Sequence, residues 1–300
     1  MQSKKLYIIG NGFDLAHGIK SKYEGFRDYI STKHPSLLEI MEKYFSFEED
    51  WSDFESSLAE LDVEELIGDA SDYLESYGAE DWSDAYHHDY QYEVDQRIET
   101  ITKELLAAFS EWILQLAIPS SIENRIGNLS HHSVYLSFNY TSTLEALYLI
   151  PKGQVTYIHN KAMDENSHLI LGHGVNPEGI PKLNSVFEDE ESDPRVVEGN
   201  DLIQTYYQSS FKSTKEIMSE HEAFFANLEG INEVYVLGHS MTEIDMPYFE
   251  EIVKKIRGEK TRWSVSYYED YEIEQKKMAL AQLGIENICT QFGKIEQLIK

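Results

Sequence analysis

LYIIGNGFDLAHG, Leu6 to Gly18, decides the fold: an apolar strand, Leu6 to Ile9, runs through a glycine turn into the start of a helix. Working outward, short β-branched or aromatic runs recur at Ser133 to Phe138, Gln154 to Ile158, His168 to Leu171, Glu233 to Leu237 and Arg262 to Tyr268. Several are apolar without strict alternation, the pattern of parallel strands covered on both faces. Helical periodicity lies between them, at Tyr23 to Ser31, Ser36 to Phe45, Val63 to Tyr77, Val94 to Leu116, Thr143 to Ile150, Lys215 to Leu228, Met246 to Ile256 and Tyr271 to Leu283. Alternation of this kind predicts an α/β layered fold with a mainly parallel sheet.

Between the first strand and the second, more than a hundred residues of mostly helical, acidic sequence intervene. The expected organisation is one α/β domain over residues 1–300 with a helical acidic insertion at 23–128. From Tyr44 to Gln96 the chain carries eighteen acids and no Lys or Arg, which reads as a solvated helical layer. Pro181 to Asp201, with two prolines, Gly199 and the acids Glu188 to Glu191, reads as a mobile loop or lid. A formal charge of −29 repels a phosphate backbone and an anionic leaflet, so neither nucleic acid nor a membrane surface is an expected partner. One cysteine, Cys289, forms no internal disulfide and fits a reducing cytoplasm. The opening apolar stretch is too short for a signal peptide, and no apolar run reaches the roughly 18 to 20 residues that span a bilayer.

Six segments carry candidate chemistry. Gly10 and Gly12 permit close approach, so the N–H groups from Gly10 through Asn11 and Gly12 to Phe13 can meet a phosphate at a helix start. The same residues serve equally as a tight turn in which Asp14 caps the helix. Leu15 replaces the third glycine of the dinucleotide fingerprint, which disfavours an ordinary dehydrogenase. In SFNYT, Asn139 follows a strand and either binds a ribose hydroxyl or water, or caps a helix from Thr141. His159 ends VTYIH and His173 lies in LGHG; either is a candidate base or a polar group satisfied in a turn. In VLGHSMTEID, Thr242 stands where a nucleophile elbow needs glycine, so Gly238 and Ser240 are expected to line a crevice and Asp245 to cap the next helix. Trp51 and Phe54 are expected to bury part of WSDFE, which can turn Glu55 towards a central cleft. Adjacent histidines at His87 and His88, and at His131 and His132, do not face one another, and no metal site is expected.

Taken in order, LYIIGNGFDLAHG, WSDFE, SFNYT, YIHN, LILGHG and YVLGHSMTEID resemble the bacteriophage abortive infection AbiH family over nearly the whole chain. That resemblance implies phage defence by growth arrest or death of the infected cell. More distantly, the layout is similar to the sirtuin-like fold of NAD-consuming defence effectors, a Rossmann-like sheet here with a large helical insertion. By that similarity Gly10 and Gly12 bind the dinucleotide, Asn139 works beside His159, and Gly238 and Ser240 close the pocket. Asp14 stands where those enzymes commonly have serine, Asn160 where glycine is usual, and Thr141 in place of an acid. The resulting expectation is hydrolysis of NAD or a related nucleotide as substrate, with no resident cofactor. In it Asn139 positions ribose or water, His159 is the base with His173 as alternative, Glu55 stabilises the developing cation, and Gly10, Asn11, Gly12, Phe13, Gly238, Ser240 and Asp245 hold the nucleotide. The alternative is a non-catalytic nucleotide-sensing or protein-binding defence module, answering to a phage trigger or protein partner.

Overall fold

A computed structural model of the chain describes residues 4–74, 88–164, 167–186, 193–256, 261–286 and 289–300. In chain order the elements are β1 (Lys5–Ile9), α1 (Asn11–Ala16), α2 (Tyr23–Lys33), α3 (Pro35–Tyr44), α4 (Phe54–Ser57), α5 (Val63–Ser71), α6 (Asp89–Glu99), α7 (Leu105–Gln115), β2 (Val134–Ser137), α8 (Thr143–Ala146) and β3 (Val155–Tyr157). They continue with α9 (Pro194–Ser209), α10 (Thr214–Glu220), α11 (Glu222–Ala226), β4 (Glu233–Leu237), α12 (Met246–Ile256), β5 (Arg262–Ser266), α13 (Glu272–Gln282), β6 (Thr290–Gly293) and α14 (Ile295–Leu298).

The chain divides into two compact units, one of Met1–Lys22, Ser110–Ile170 and Ser213–Lys300, the other of Tyr23–Phe109 and Leu171–Lys212. Where the sequence predicts an insertion at 23–128, the second unit takes 23–109 and adds the later stretch 171–212.

The first unit holds a six-stranded, all-parallel sheet in the order β3-β2-β1-β4-β5-β6. Both faces are covered, which is why its strands read as apolar runs. Leu6, Ile8, Leu136, Val234, Val236 and Val265 pack one face against Tyr248, Phe249 and Ile252 of α12. Tyr7, Ile9, Tyr135 and Leu237 pack the other against Phe13 of α1 and Leu144 of α8. Tyr7 is stacked between its in-register neighbours Tyr135 and Tyr235, with ring centroids 4.9 and 4.8 Å apart.

The second unit is helical. Val63 begins α5 behind Asp62, whose carboxylate accepts the Glu65 N–H at 2.9 Å. The predicted continuation of that helix to Tyr77 lies partly outside the described residues. The long helix expected over Val94 to Leu116 contains a π-helical stretch, Thr100–Glu104, between α6 and α7. There Thr100 and Thr102 return their hydroxyls to the carbonyls of Gln96 and Ile98, competing with the regular ladder.

Three expectations change. His168 to Leu171 is not a strand: the His168 carbonyl accepts from Asn160 Nδ2 at 2.7 Å and the Ile170 carbonyl from Tyr140 OH at 2.8 Å, so side chains take the acceptors a ladder needs. The expected lid at Pro181 to Asp201 contains a 3₁₀ turn, Leu183–Val186, and the start of α9, with 187–192 outside the described residues. Pro194 opens that helix behind Asp193, which accepts the Arg195 N–H, and Gly199 lets the Tyr90 ring lie against α9 where a Cβ would meet it at 2.4 Å. The sixth strand, β6, was not predicted; its four residues pair on one side only, with β5.

Candidate functional site

In the first unit β1 has β2 on one side and β4 on the other, so the strand order reverses at β1; ligands of open α/β sheets bind outside the carboxyl ends of the strands at such a point. Ile9, Ser137, Tyr157 and Leu237 end β1 to β4, and Ile9 and Tyr157 are both in register with Ser137, as Leu237 is with Ile9. Two residues past each stand Asn11, Asn139, His159 and His239. The strand-end motifs are therefore brought to one edge.

The glycines there serve each other. Gly10 N–H donates to the Leu237 carbonyl at 3.0 Å, Gly12 N–H to the Gly238 carbonyl at 2.8 Å, and Phe13 N–H to the Gly10 carbonyl at 2.9 Å. A Cβ on Gly10 would lie 2.6 Å from His239 Cα, and one on Gly238, at φ +68°, would lie 2.0 Å from the Phe13 nitrogen. The turns after β1 and β4 are interlocked, and three of the amides expected to meet a pyrophosphate are already engaged. The Asn11 side chain is engaged too: its amide donates to the Ser21 carbonyl at 2.8 Å and its oxygen accepts the Ser21 hydroxyl at 2.5 Å.

Asp14 does not cap α1. It lies inside the helix, 1 % exposed, with Oδ2 accepting the Thr141 hydroxyl at 2.5 Å and with Thr143 and Asn139 close by. Its Oδ1 is buried with no partner among the described residues. Burial raises its pKa above the usual carboxylate value, and the polar side chains of Thr141, Thr143 and Asn139 pull the other way. Asn139 likewise caps no helix, because α8 starts at Thr143 behind Ser142; it is buried beside Asp14. His159 is buried, with the edges of Phe138 and Tyr248 at ring-centroid distances of 5.3 and 5.9 Å.

After β4, Gly238 N–H donates to Ser266 Oγ at 2.7 Å. His239 Nδ1 accepts the Met241 N–H at 2.9 Å, which leaves the proton of the neutral ring on Nε2, 3.4 Å from Asp245 Oδ2. Asp245 thus faces His239, while Ser240 is exposed. The sequence reading missed this His239–Asp245 pair, although their spacing in GHSMTEID was its available signal.

Glu55 and His173 belong to the second unit. Trp51 and Phe54 are buried and stacked, as expected, with ring centroids 5.3 Å apart. Glu55 accepts the Tyr23 hydroxyl on Oε1 and pairs through Oε2 with Lys212 Nζ at 2.9 Å; that lysine, 3 % exposed, carried no sequence signal. Lys212 N–H donates to the His173 carbonyl at 2.8 Å, so the pair is built beside the LGHG segment. His173 is fully buried and accepts the Val175 N–H on Nδ1 at 3.2 Å; burial lowers its pKa and keeps it neutral.

An all-parallel sheet with its strand-order reversal at β1 and polar side chains gathered past the strand ends defines a Rossmann-like α/β protein. Residues 6–267 match the model of the family described as bacteriophage abortive infection AbiH, a span that runs through both units, and the chain belongs to that family. Its role is accordingly in abortive infection by phage. No match was found among curated proteins. Among the described residues no helix is long and apolar enough to cross a membrane.

Proposed function

We infer that this abortive-infection protein acts by hydrolysing NAD or a related nucleotide at the carboxyl edge of its sheet. The observation that carries the reading is the placement of Asn139 and His159, each two residues beyond the in-register pair Ser137 and Tyr157 on neighbouring strands. The distant resemblance of the sequence's layout to sirtuin-like effectors, in which an asparagine after a central strand works beside a histidine, points to the same pair. Asn139, buried beside Asp14, holds the ribose or the attacking water. Water adds to the anomeric carbon as the bond to the pyridine nitrogen breaks; that electron pair leaves with nicotinamide, which departs neutral, and the water proton passes to His159. Glu55, already bound by Lys212 and Tyr23, is assigned no step. Gly238 and the α1 turn shape the edge through their interlock rather than through a row of phosphate-facing amides.

Incubating the purified protein with NAD and measuring released nicotinamide tests the reading. Release above a no-protein control is expected. Folded wild-type protein that turns over no nicotinamide dinucleotide sinks it and leaves the non-catalytic sensing or protein-binding module.

A further inference from the structure

Two buried polar atoms in the first unit lack partners among the described residues and lie over the same face of the sheet: Asp14 Oδ1 and the Tyr157 hydroxyl. Ile9, Ser137 and Tyr157 form one row across β1, β2 and β3, so their side chains leave the sheet on one side. Ile9 packs there with Phe13, the residue before Asp14, and with Leu144 of α8. Tyr157 therefore points to the face that α1 covers. Burial raises its pKa, and the charges of Glu145 and Asp14 raise it further, as expected of neighbours in a low-dielectric interior. The ring also lines an open cleft of about 530 Å3 and lies 4.8 Å beneath Lys161 Nζ, which pairs with Glu145 at 2.6 Å.

One unpaired acceptor and one unpaired donor are the complement of a hydroxyl group, which gives one hydrogen bond and takes another. Leaving either unmade in the interior is costly, so their retention points to a bound partner. We propose that Asp14 Oδ1 and Tyr157 OH together bind a sugar hydroxyl of a ribonucleotide, Asp14 accepting its proton and Tyr157 donating to its oxygen. The ligand class rests on the nucleotide reading above; the site rests on the two unpartnered groups. Thr141 holds the carboxylate by its other oxygen, Oδ2, so the acceptor is held in place before the ligand arrives.

The test is a thermal-shift and calorimetric titration of the full chain with NAD, ADP-ribose and AMP, with 2′-deoxy-AMP and 3′-deoxy-AMP as controls lacking one hydroxyl each. Asp14→Asn and Tyr157→Phe are compared with wild type. Wild type should bind a ribonucleotide, and bind one of the deoxy controls about tenfold to a hundredfold more weakly, as for a hydrogen bond to a charged group. Each variant should lose a similar factor for the ribonucleotide and bind that deoxy control as wild type does. At neutral pH both variants should melt at or above wild type, because Asp14→Asn removes a buried acid and Tyr157→Phe an unpaired buried hydroxyl. Equal affinity for ribo- and deoxynucleotides, no binding of any ribonucleotide, or unchanged affinity in both variants overturns the proposal, water then being the only occupant. Lower melting points in both variants overturn it as well, showing that the groups support the fold. Ribonucleotide binding through this pair without nicotinamide release defeats the hydrolysis reading alone; nicotinamide release with undiminished affinity in both variants defeats this inference alone.

Discussion

Gly238 and Gly18 both have positive φ, +68° and +75°, yet only the first has backbone against it. A methyl group at Gly238 meets the Phe13 nitrogen at 2.0 Å, whereas nothing lies within 4 Å of one at Gly18. Gly238→Ala should lower stability by about 3 kcal/mol and Gly18→Ala by about 1 kcal/mol, read from denaturant midpoints. The glycines were legible in the sequence as a close approach, but not what approaches: a phosphate and a neighbouring turn demand the same missing Cβ. At the chemical residues, His159→Ala and Asn139→Ala should each leave the fold intact and cut nicotinamide release, by about a hundredfold to ten-thousandfold for loss of the base. His173→Ala should have a smaller effect. The opposite ranking moves the base to His173, and full activity in both of the first two variants removes the mechanism. Asp14 supplies a pH test that does not depend on turnover. Its raised pKa means the folded chain keeps a proton that the unfolded chain loses, so its stabilising contribution is fully present below the ordinary carboxylate pKa and is lost as pH rises through the raised value. The thermal midpoint of Asp14→Asn should therefore gain on wild type across that window, and a difference flat with pH would show that Asp14 titrates alike in both states.

The acidic segment shows what an element's sequence conceals. Eighteen acids without an internal base read as a solvated layer, but the two bases that flank the run in sequence, Lys43 and Arg97, both serve it. Lys43 pairs with Asp69, and the Tyr44 hydroxyl donates to Asp69 at 2.8 Å while accepting from Arg97 Nε at 3.0 Å. Exposed Glu64 has no such set among the described residues, so Glu64→Gln should leave the melting temperature within error while Asp69→Asn lowers it measurably. Lys43 above all holds the Asp69 pKa below its ordinary value, so this contribution is present above the ordinary carboxylate pKa and is lost as pH falls through the depressed one. The gap between wild type and Asp69→Asn should close in acid. Strands with buried faces were readable because apolar runs flanked by turns have few other uses. His168 to Leu171 has the same composition, and its partners outside the run, Tyr140 and Asn160, take its carbonyls with side chains instead.

At the scale of the molecule, sequence periodicity predicted an α/β sheet interrupted by helices, and the sheet's parallel order follows from crossovers long enough to return each strand in the same direction. The later contribution of 171–212 to the helical unit left no local mark, because a chain's return to an earlier unit is settled by tertiary contacts. Phage defence provides the whole-molecule experiment. Cells expressing wild type should restrict plaque formation by a susceptible phage, and cells expressing folded His159→Ala at equal abundance should not. Restriction by both at the same level would detach defence from the proposed chemistry.

The position of β1 has a further consequence for the birth of the protein. It is made before the other five strands of its sheet, yet it lies between β2 and β4, with Lys5 in register with Glu233. At a translation rate of about 5–20 residues per second, it emerges roughly 10 to 45 seconds before that neighbour exists. Throughout this interval an apolar strand with an open hydrogen-bonding edge is available to the ribosome-bound chaperones and to other nascent chains. Yield of soluble protein should therefore depend on chaperone supply and on the pace of elongation, more than the finished molecule's buried sheet suggests.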